Sequence, residues 1–344
     1  NNLRSVFQTY SDRTGVSIAS LAGDIELAPS EELIENIDYL KRSATLSDVH
    51  YDRFEYLPSS YNIAVPLTAF QIFPPSLRAT AFDGDTVTNG SFTLFPSQRG
   101  TLELLAGGSV LFRGTAVGSP ILMSDADPAA IAPVWRPEVN YATGSRLDSV
   151  LFDALPGSSG PLYHSAGALH AGDPEPIRIV AVTGDIVNEH GKELGFAKSA
   201  LVYAGRDIRN FRFIGQNMDS DDVTRIQAGR DVLFDAIDSG GTPIQAQGGI
   251  RVGGPGRVEV IAGRNIDLGA SDGILTVGND YNPVLPVQGA DIVAIAGLAQ
   301  PPATGTFIDT YLDFNSPSYA ALPATEQDLY LSWVQEHVRQ SGEA

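Results

Sequence analysis

Along much of the chain, apolar and polar residues alternate in short runs that break on small residues. In Arg257-Val258-Glu259-Val260-Ile261-Ala262-Gly263-Arg264-Asn265-Ile266-Asp267-Leu268 the alternation continues on both sides of the glycine. Val258, Val260, Ile266 and Leu268 carry the period of two that marks a strand with one buried face. Val223-Thr224-Arg225-Ile226 with Val232-Leu233-Phe234, and Ile177-Arg178-Ile179-Val180, repeat the pattern. The phrase at the break also recurs, as Ala204-Gly205-Arg206-Asp207-Ile208, Ala228-Gly229-Arg230-Asp231-Val232 and Ala262-Gly263-Arg264-Asn265-Ile266. Looser copies stand at Leu21-Ala22-Gly23-Asp24-Ile25 and Leu105-Ala106-Gly107-Gly108-Ser109-Val110. Such recurrence is one supersecondary unit used repeatedly.

Gly23, Gly84, Gly107, Gly184, Gly205, Gly229, Gly263 and Gly297 are read as one column of corners. The steps of 23, 21 and 24 residues (Gly84 to Gly107, Gly184 to Gly205, Gly205 to Gly229) fit one coil of three short strands and three turns. The last two steps, 34 residues each, fit a coil with a longer loop, and steps of 61 and 77 require insertions. Gly263 is expected to supply a positive φ or a tight backbone at its corner. The predicted fold is all-β: a parallel β-helix, or solenoid, with long loop insertions and a short C-terminal helical segment. Stacked coils place equivalent strands about 4.8 Å apart and bury together an inner face that no single coil could bury. Val202, Ile226, Val260 and Ile295 are predicted to point inward, as are Ile208, Val232 and Ile266.

The predicted organisation is a first rung in 1–28; a helix and an aromatic insertion in 29–100; a rung in 101–113; a loop-rich insertion in 114–176; regular rungs in 177–300; and a helical cap or linker in 301–344. The helix is expected over 29–43, where Leu33, Ile34, Ile37 and Leu40 share a face. Glu31 and Glu32 at its start and Lys41 and Arg42 at its end suit the helix dipole. In the tail, Thr325 with Asp328 makes a capping-box pattern, and Leu329, Trp333 and Val334 are expected to pack inward. A solenoid that stops abruptly exposes unpaired N–H and C=O groups. The segment from Phe307 to Gln340 is therefore expected to fold over the last rung near Ile292–Ala296.

Composition narrows the chemistry. The chain of 344 residues has no cysteine, which removes disulfides, thiolate catalysis and cysteine-ligated metals. Its net charge of −19, with only three lysines and scattered arginines, repels phosphate backbones and argues against nucleic-acid binding. No apolar run is long enough for a transmembrane helix. The start at Asn1, without an initiator Met or a signal peptide, reads as a piece of a longer protein.

Several residues are candidate sites. Asp219, Asp221 and Asp222 could offer oxygens to Ca²⁺, but the run lacks the Gly and distal Glu of a dedicated loop, so a solvated turn is the preferred reading. Asp83 and Asp85 read as turn residues. A column of Arg206, Arg230 and Arg264 could grip acidic sugars. Pairing with a neighbouring rung's carboxylate, such as Asp207 or Asp231, is the preferred reading in so acidic a chain. His50, His164, His170, His190 and His337 show no metal-ligand spacing, and His164 and His170 are expected to face solvent. No nucleophile elbow and no phosphate loop is present. The sequence thus assigns no catalytic, cofactor or metal residue.

The Ala-Gly-Arg-Asp/Asn copies resemble the β-helical regions of filamentous haemagglutinin-type exoproteins of Gram-negative bacteria. Ser76–Ala81, Gly100–Gly108, Ile179–Ile186 and the tail from Tyr311-Leu312 through Leu329–Val334 resemble a domain found late in the very long members of that family. The resemblance implies a right-handed β-helix, secretion through an outer-membrane two-partner transporter that reads a region absent here, and display or release at the cell surface. The favoured function is a non-enzymatic rigid rod in adhesion or an extracellular filament, with a glycan or host or neighbouring-cell surface ligand, or self-association into fibres, as partner. The alternatives are an enzyme acting on acidic glycans and a stalk presenting a distal toxin or adhesin. The enzyme needs acidic residues such as Asp219, Asp221, Asp222, Asp235 and Asp238 to converge on one groove.

Overall fold

The computed structural model describes residues 10–28, 72–90, 92–113, 121–123, 125, 127–128, 167–235, 237–238, 243–244, 248–269, 271–278, 284–299, 305 and 308–341. The helix expected over 29–43 lies outside them.

The chain winds in rungs of three short strands. The first rung is β1 (Gly15–Ser20), β2 (Ile25–Leu27) and, only after residues 28–71, β3 (Ile72–Phe73). The second is β4 (Ser76–Ala81), β5 (Thr86–Asn89) and β6 (Phe92–Leu94); the third is β7 (Thr101–Ala106), β8 (Val110–Arg113) and β9 (Ile121–Met123). The fourth is β10 (Ile177–Ala181), β11 (Ile186–Asn188) and β12 (Leu194–Phe196); the fifth is β13 (Ala200–Ala204), β14 (Ile208–Arg209) and β15 (Phe213–Gln216). The sixth is β16 (Val223–Ala228), β17 (Val232–Leu233), a hairpin of β18 (Ile237–Asp238) and β19 (Pro243–Ile244), and β20 (Ile250–Gly253). The seventh is β21 (Arg257–Ala262), β22 (Ile266–Asp267) and β23 (Ile274–Val277), and β24 (Asp291–Ile295) starts an eighth.

Equivalent strands pair in parallel, giving one eight-stranded and two seven-stranded sheets, each ordered rung by rung. This is the parallel β-helix that the alternation predicts. Rungs resume at Ile72, and β9 lies inside the stretch read as a single insertion, which is thereby split into 114–120 and 124–176. The hairpin β18–β19 accounts for the 34-residue step from Gly229 to Gly263.

The core is the inner face of all three sheets. On the first sheet, Leu104, Ile179, Val202, Ile226 and Val260 stack in register and are fully buried. Beside them runs a column of alanines: Ala81, Ala106, Ala181, Ala204, Ala228 and Ala262. All six are buried. On the third-sheet side Phe196, Phe211 and Phe213 are buried together, with ring centroids 6.0 Å (Phe196–Phe213) and 5.6 Å (Phe211–Phe213) apart. Ile208 and Val232 are buried as expected, while Ile266 is only partly buried against the same cluster. Ile295 is a correction: it pairs with outward-facing Ile261, Ala294 holds the position opposite Val260, and Ile295 is 40% exposed. A shift of one residue in a strand moves a side chain to the other face.

Residues 297–344 form a second compact unit. In it a single π-helical turn (Ile308–Leu312) precedes α1 (Pro317–Ala320) and α2 (Ala324–Ser341). Ser316 caps α1 by accepting from the Tyr319 N–H at 3.0 Å, and Tyr319 meets Phe314 edge-on at 5.0 Å. Thr325 is not the cap of α2 but lies inside its first turn, which Pro323 opens; Leu329 is 66% exposed rather than packed inward. None of the described helices is long and apolar enough to cross a membrane.

Candidate functional site

The recurring phrase sits at the corner between the first and second sheets. Gly205, Gly229 and Gly263 each donate their N–H to the alanine carbonyl of the preceding rung (Ala181, Ala204 and Ala228) at 2.8, 2.8 and 3.0 Å. They therefore stack on consecutive rungs. Gly23, Gly84 and Gly184 belong to a different column, two residues further on: Gly184 donates to Gly108, and Arg206 donates to Gly184. The cause is corner length. Val182-Thr183-Gly184-Asp185 has one residue more than Gly205-Arg206-Asp207. In the short form a Cβ on Gly229 would land on the Gly205 carbonyl, and one on Gly205 would land on that of Val182. The need is close backbone approach, since none of Gly205, Gly229 and Gly263 has a positive φ, whereas Gly23 does, at 105°.

Beyond the glycine runs a polar column: Asp24, Asp85, Ser109, Asp185, Asp207, Asp231 and Asn265. Each side chain except the last accepts the backbone N–H of the next member, at 2.8, 2.6, 3.2, 2.9, 3.2 and 3.0 Å in turn. The arginines close the same ladder. Arg206 meets Asp185 at 3.6 Å, Arg230 meets Asp207 at 3.4 Å, and Arg264 pairs with Asp231. Pairing across rungs is thus the observed role of these arginines. Burial pulls the Asp231 carboxyl up, but hydrogen bonds from Arg264 and from the backbone and side chain of Asn265 outweigh that and hold it below the ordinary carboxylate range.

The other two corners hold a feature the sequence reading missed. Two of the three lysines are buried, both on the fourth rung, and both reach past the third rung to the second. At the corner between the second and third sheets, Lys192 donates its Nζ to the Gly90 carbonyl. Asn188 braces that turn, accepting from the Lys192 N–H at 2.9 Å and donating to its carbonyl at 2.8 Å. Burial lowers the Lys192 pKa to about 8, partly offset by the Glu189 charge. At the corner between the third and first sheets, Lys198 donates its Nζ to Asp173 at 2.6 Å and to the Gly100 carbonyl at 3.3 Å. The third rung's connections at these two corners are residues 114–120 and 124–176, and both lysines reach groups of the second rung. The available signal was rarity: two of the chain's three lysines stand six residues apart, straddling one short strand.

His170, expected in solvent, is 1% exposed in the same cluster. Its Nδ1 lies 3.7 Å from the Asp173 carboxylate, and neither ring nitrogen makes a hydrogen bond. Asp125, also buried, acts on it electrostatically. Burial lowers the His170 pKa and the Lys198 charge adds to this, against the opposing contributions of Asp173 and Asp125. Burial alone would raise the Asp173 carboxyl; its contacts with His170 and Lys198 hold it well below the ordinary range.

The aspartates weighed for chemistry do not share one corner. Asp222 spends its carboxylate on its own turn, accepting the N–H groups of Met218 (2.6 Å) and Asp219 (3.0 Å). That turn joins the third sheet to the first, while Asp235 follows β17 at the corner between the second and third sheets and pairs with Arg209 at 2.9 Å. Asp238 lies in the hairpin strand β18. Among the described residues no group of three or more His, Asp or Glu side chains is arranged to hold a metal ion. Asp221 does line an open groove of about 490 Å³ with Ser220, Gly256, Arg257 and Asp291.

No protein-family model, curated protein or solved structure matches this chain.

Proposed function

We propose that this chain is a rigid rod segment of a secreted, surface-displayed bacterial protein of the filamentous haemagglutinin type, non-enzymatic and acting in adhesion or in an extracellular filament. The observation that carries this reading is the polar ladder from Asp24 to Asn265. Its carboxylates and arginines are spent on the next rung, in hydrogen bonds that run along the solenoid axis. Charge used in this way resists rung separation and is withdrawn from substrate chemistry. The secretion route and cell-surface location rest on the motif resemblance, and a surface glycan is the partner class proposed. The experiment is single-molecule pulling of the chain between tethered ends. A rod should yield in steps of about one rung, at forces that drop when Asp207 and Asp231 are both changed to Asn. Equal forces in the two proteins would overturn the ladder's role in resisting rung separation.

A second reading draws on the groove at Asp221, Arg257 and Asp291, whose mix of carboxylates and a guanidinium suits a hydroxyl-rich or acidic glycan. Incubation with acidic polysaccharides, read by new reducing ends and by unsaturated products, separates binding from cleavage. Product formation that disappears in Asp291→Asn would replace the rod reading with an enzyme.

A further inference from the structure

We propose that His170 makes the corner between the third and first sheets an acid-sensitive latch: protonation of its imidazole undocks the segment 167–176 from Lys198 and Gly100 while the stacked rungs remain folded. The segment is where the chain returns from the insertion of the third rung to β10. Among the described residues, a lysine and a histidine join it to the solenoid's turns. Lys198, from the turn between β12 and β13, bonds Asp173 of the segment and the Gly100 carbonyl of the second rung's turn. The His170 ring stands against Gly100, with its Cε1 3.7 Å from where a Cβ on that residue would lie.

The ring is placed where charge is costly. It is fully enclosed, it makes no hydrogen bond through either nitrogen, and Lys198, the cation that acts on it, is itself buried. The charged groups facing it are Asp173 on its own segment, Asp125 after β9, and Lys198 after β12. The Asp173 carboxylate, 3.7 Å from Nδ1, is already engaged with Lys198 at 2.6 Å and with the Glu175 N–H at 3.2 Å. An imidazolium here would put a second cation beside Lys198 without a solvent shell. Water outside the pocket solvates it instead, so protonation favours the undocked segment. The depressed His170 pKa agrees in sign. The undocked state binds the proton more tightly, so docking is complete above the ordinary imidazole value of 6.5 and weakens as pH falls below it.

The rungs do not share this dependence. The first-sheet strands on either side, β7, β10 and β13, are held by backbone pairing and by buried Leu104, Ile179 and Val202, none of which titrates. Local opening at the corner is thereby separated from global unfolding.

Hydrogen–deuterium exchange of the full chain, compared as protection factors at about pH 7.5 and 5.5, tests the latch. Peptides covering 167–176 should lose protection at the lower pH, with a ceiling of about tenfold set by one unit below the ordinary imidazole value. Peptides from β13 and β16 should not change. In His170→Phe, which keeps an enclosed ring without a proton site, the pH effect should vanish. Unchanged wild-type protection of 167–176, loss shared by the rungs, or an equal loss in His170→Phe would each overturn the proposal. Should His170→Phe fail to fold, NMR titration of the His170 ring in the wild type decides the question. Loop opening that tracks the ring's own titration upholds the latch, and opening that follows only carboxylate titration at lower pH refutes it.

Discussion

Individual side chains in this protein are chosen by what the neighbouring rung lacks. Asp231 accepts two hydrogen bonds from Asn265 and pairs with Arg264, so its removal strands three donors at once. Asp231→Ala should cost about 2–4 kcal/mol in denaturant unfolding, and Asp231→Asn, which keeps an acceptor and loses only the charge, about half that or less. Lys192 gives a signature in pH. Its folded pKa, about 8, lies below the ordinary 10.5, so between those values the unfolded chain binds more protons and the native state gains stability as pH rises. Relative to Lys192→Met, the wild type should therefore gain about 1–2 kcal/mol across that window in paired denaturation curves, less than the full shift because solvent partly screens the ammonium. A flat difference would show that the ammonium is not enclosed.

At the scale of elements, the corner decides which residue its first position tolerates. Long corners leave that position open, and Leu21, Phe82 and Val182 stand there exposed. Short corners bring the backbones of two rungs together and admit only glycine. Gly229→Ala should then cost about 1–3 kcal/mol, because both clashing groups are backbone and cannot swing aside. The inner face is as exacting. Ile226→Asp buries an unpaired carboxylate and should cost several kcal/mol, about 4 or more. Ile295→Asp, on an outward position of the last strand, should stay within about 1 kcal/mol. Melting of these three variants side by side checks the register as well as the burial.

Over the whole molecule, two carboxylates set an acid limit: Asp231 on the ladder, and Asp173 at the corner between the third and first sheets. Asp231 and Asp173 are both held below the carboxylate value of 3.8, and their contribution is fully present above that value. As pH falls below 3.8 the unfolded chain takes up protons that the folded chain refuses, and stability is lost progressively. Circular dichroism against pH should show the strand signal persisting through the range in which His170 titrates and collapsing only below about 3.8. Collapse at the higher pH would mean that the corner and the rungs open together.

What the sequence determined by itself is the repeat. Alternation of period two, broken by Ala-Gly-Arg-Asp, was enough to predict parallel rungs, the inward positions of Val202, Ile226 and Val260, and arginines paired to the next rung, because each of these depends on local spacing. The eye could not separate two glycine columns, since a corner longer by one residue shifts the motif without changing its look. Nor could it tell that Ile295 falls on the outer face, because that is set by pairing with β21 rather than by its own neighbours. The buried cluster of Lys198, Asp173, His170 and Asp125 was the least legible. Its members come from three separate segments with no common spacing, and a histidine in a polar loop looks the same in sequence whether it meets water or a wall. Only winding of the chain brings the second, third and fourth rungs to one corner. There, enclosure by neighbours distant in sequence, rather than the identity of any one residue, decides which charges persist.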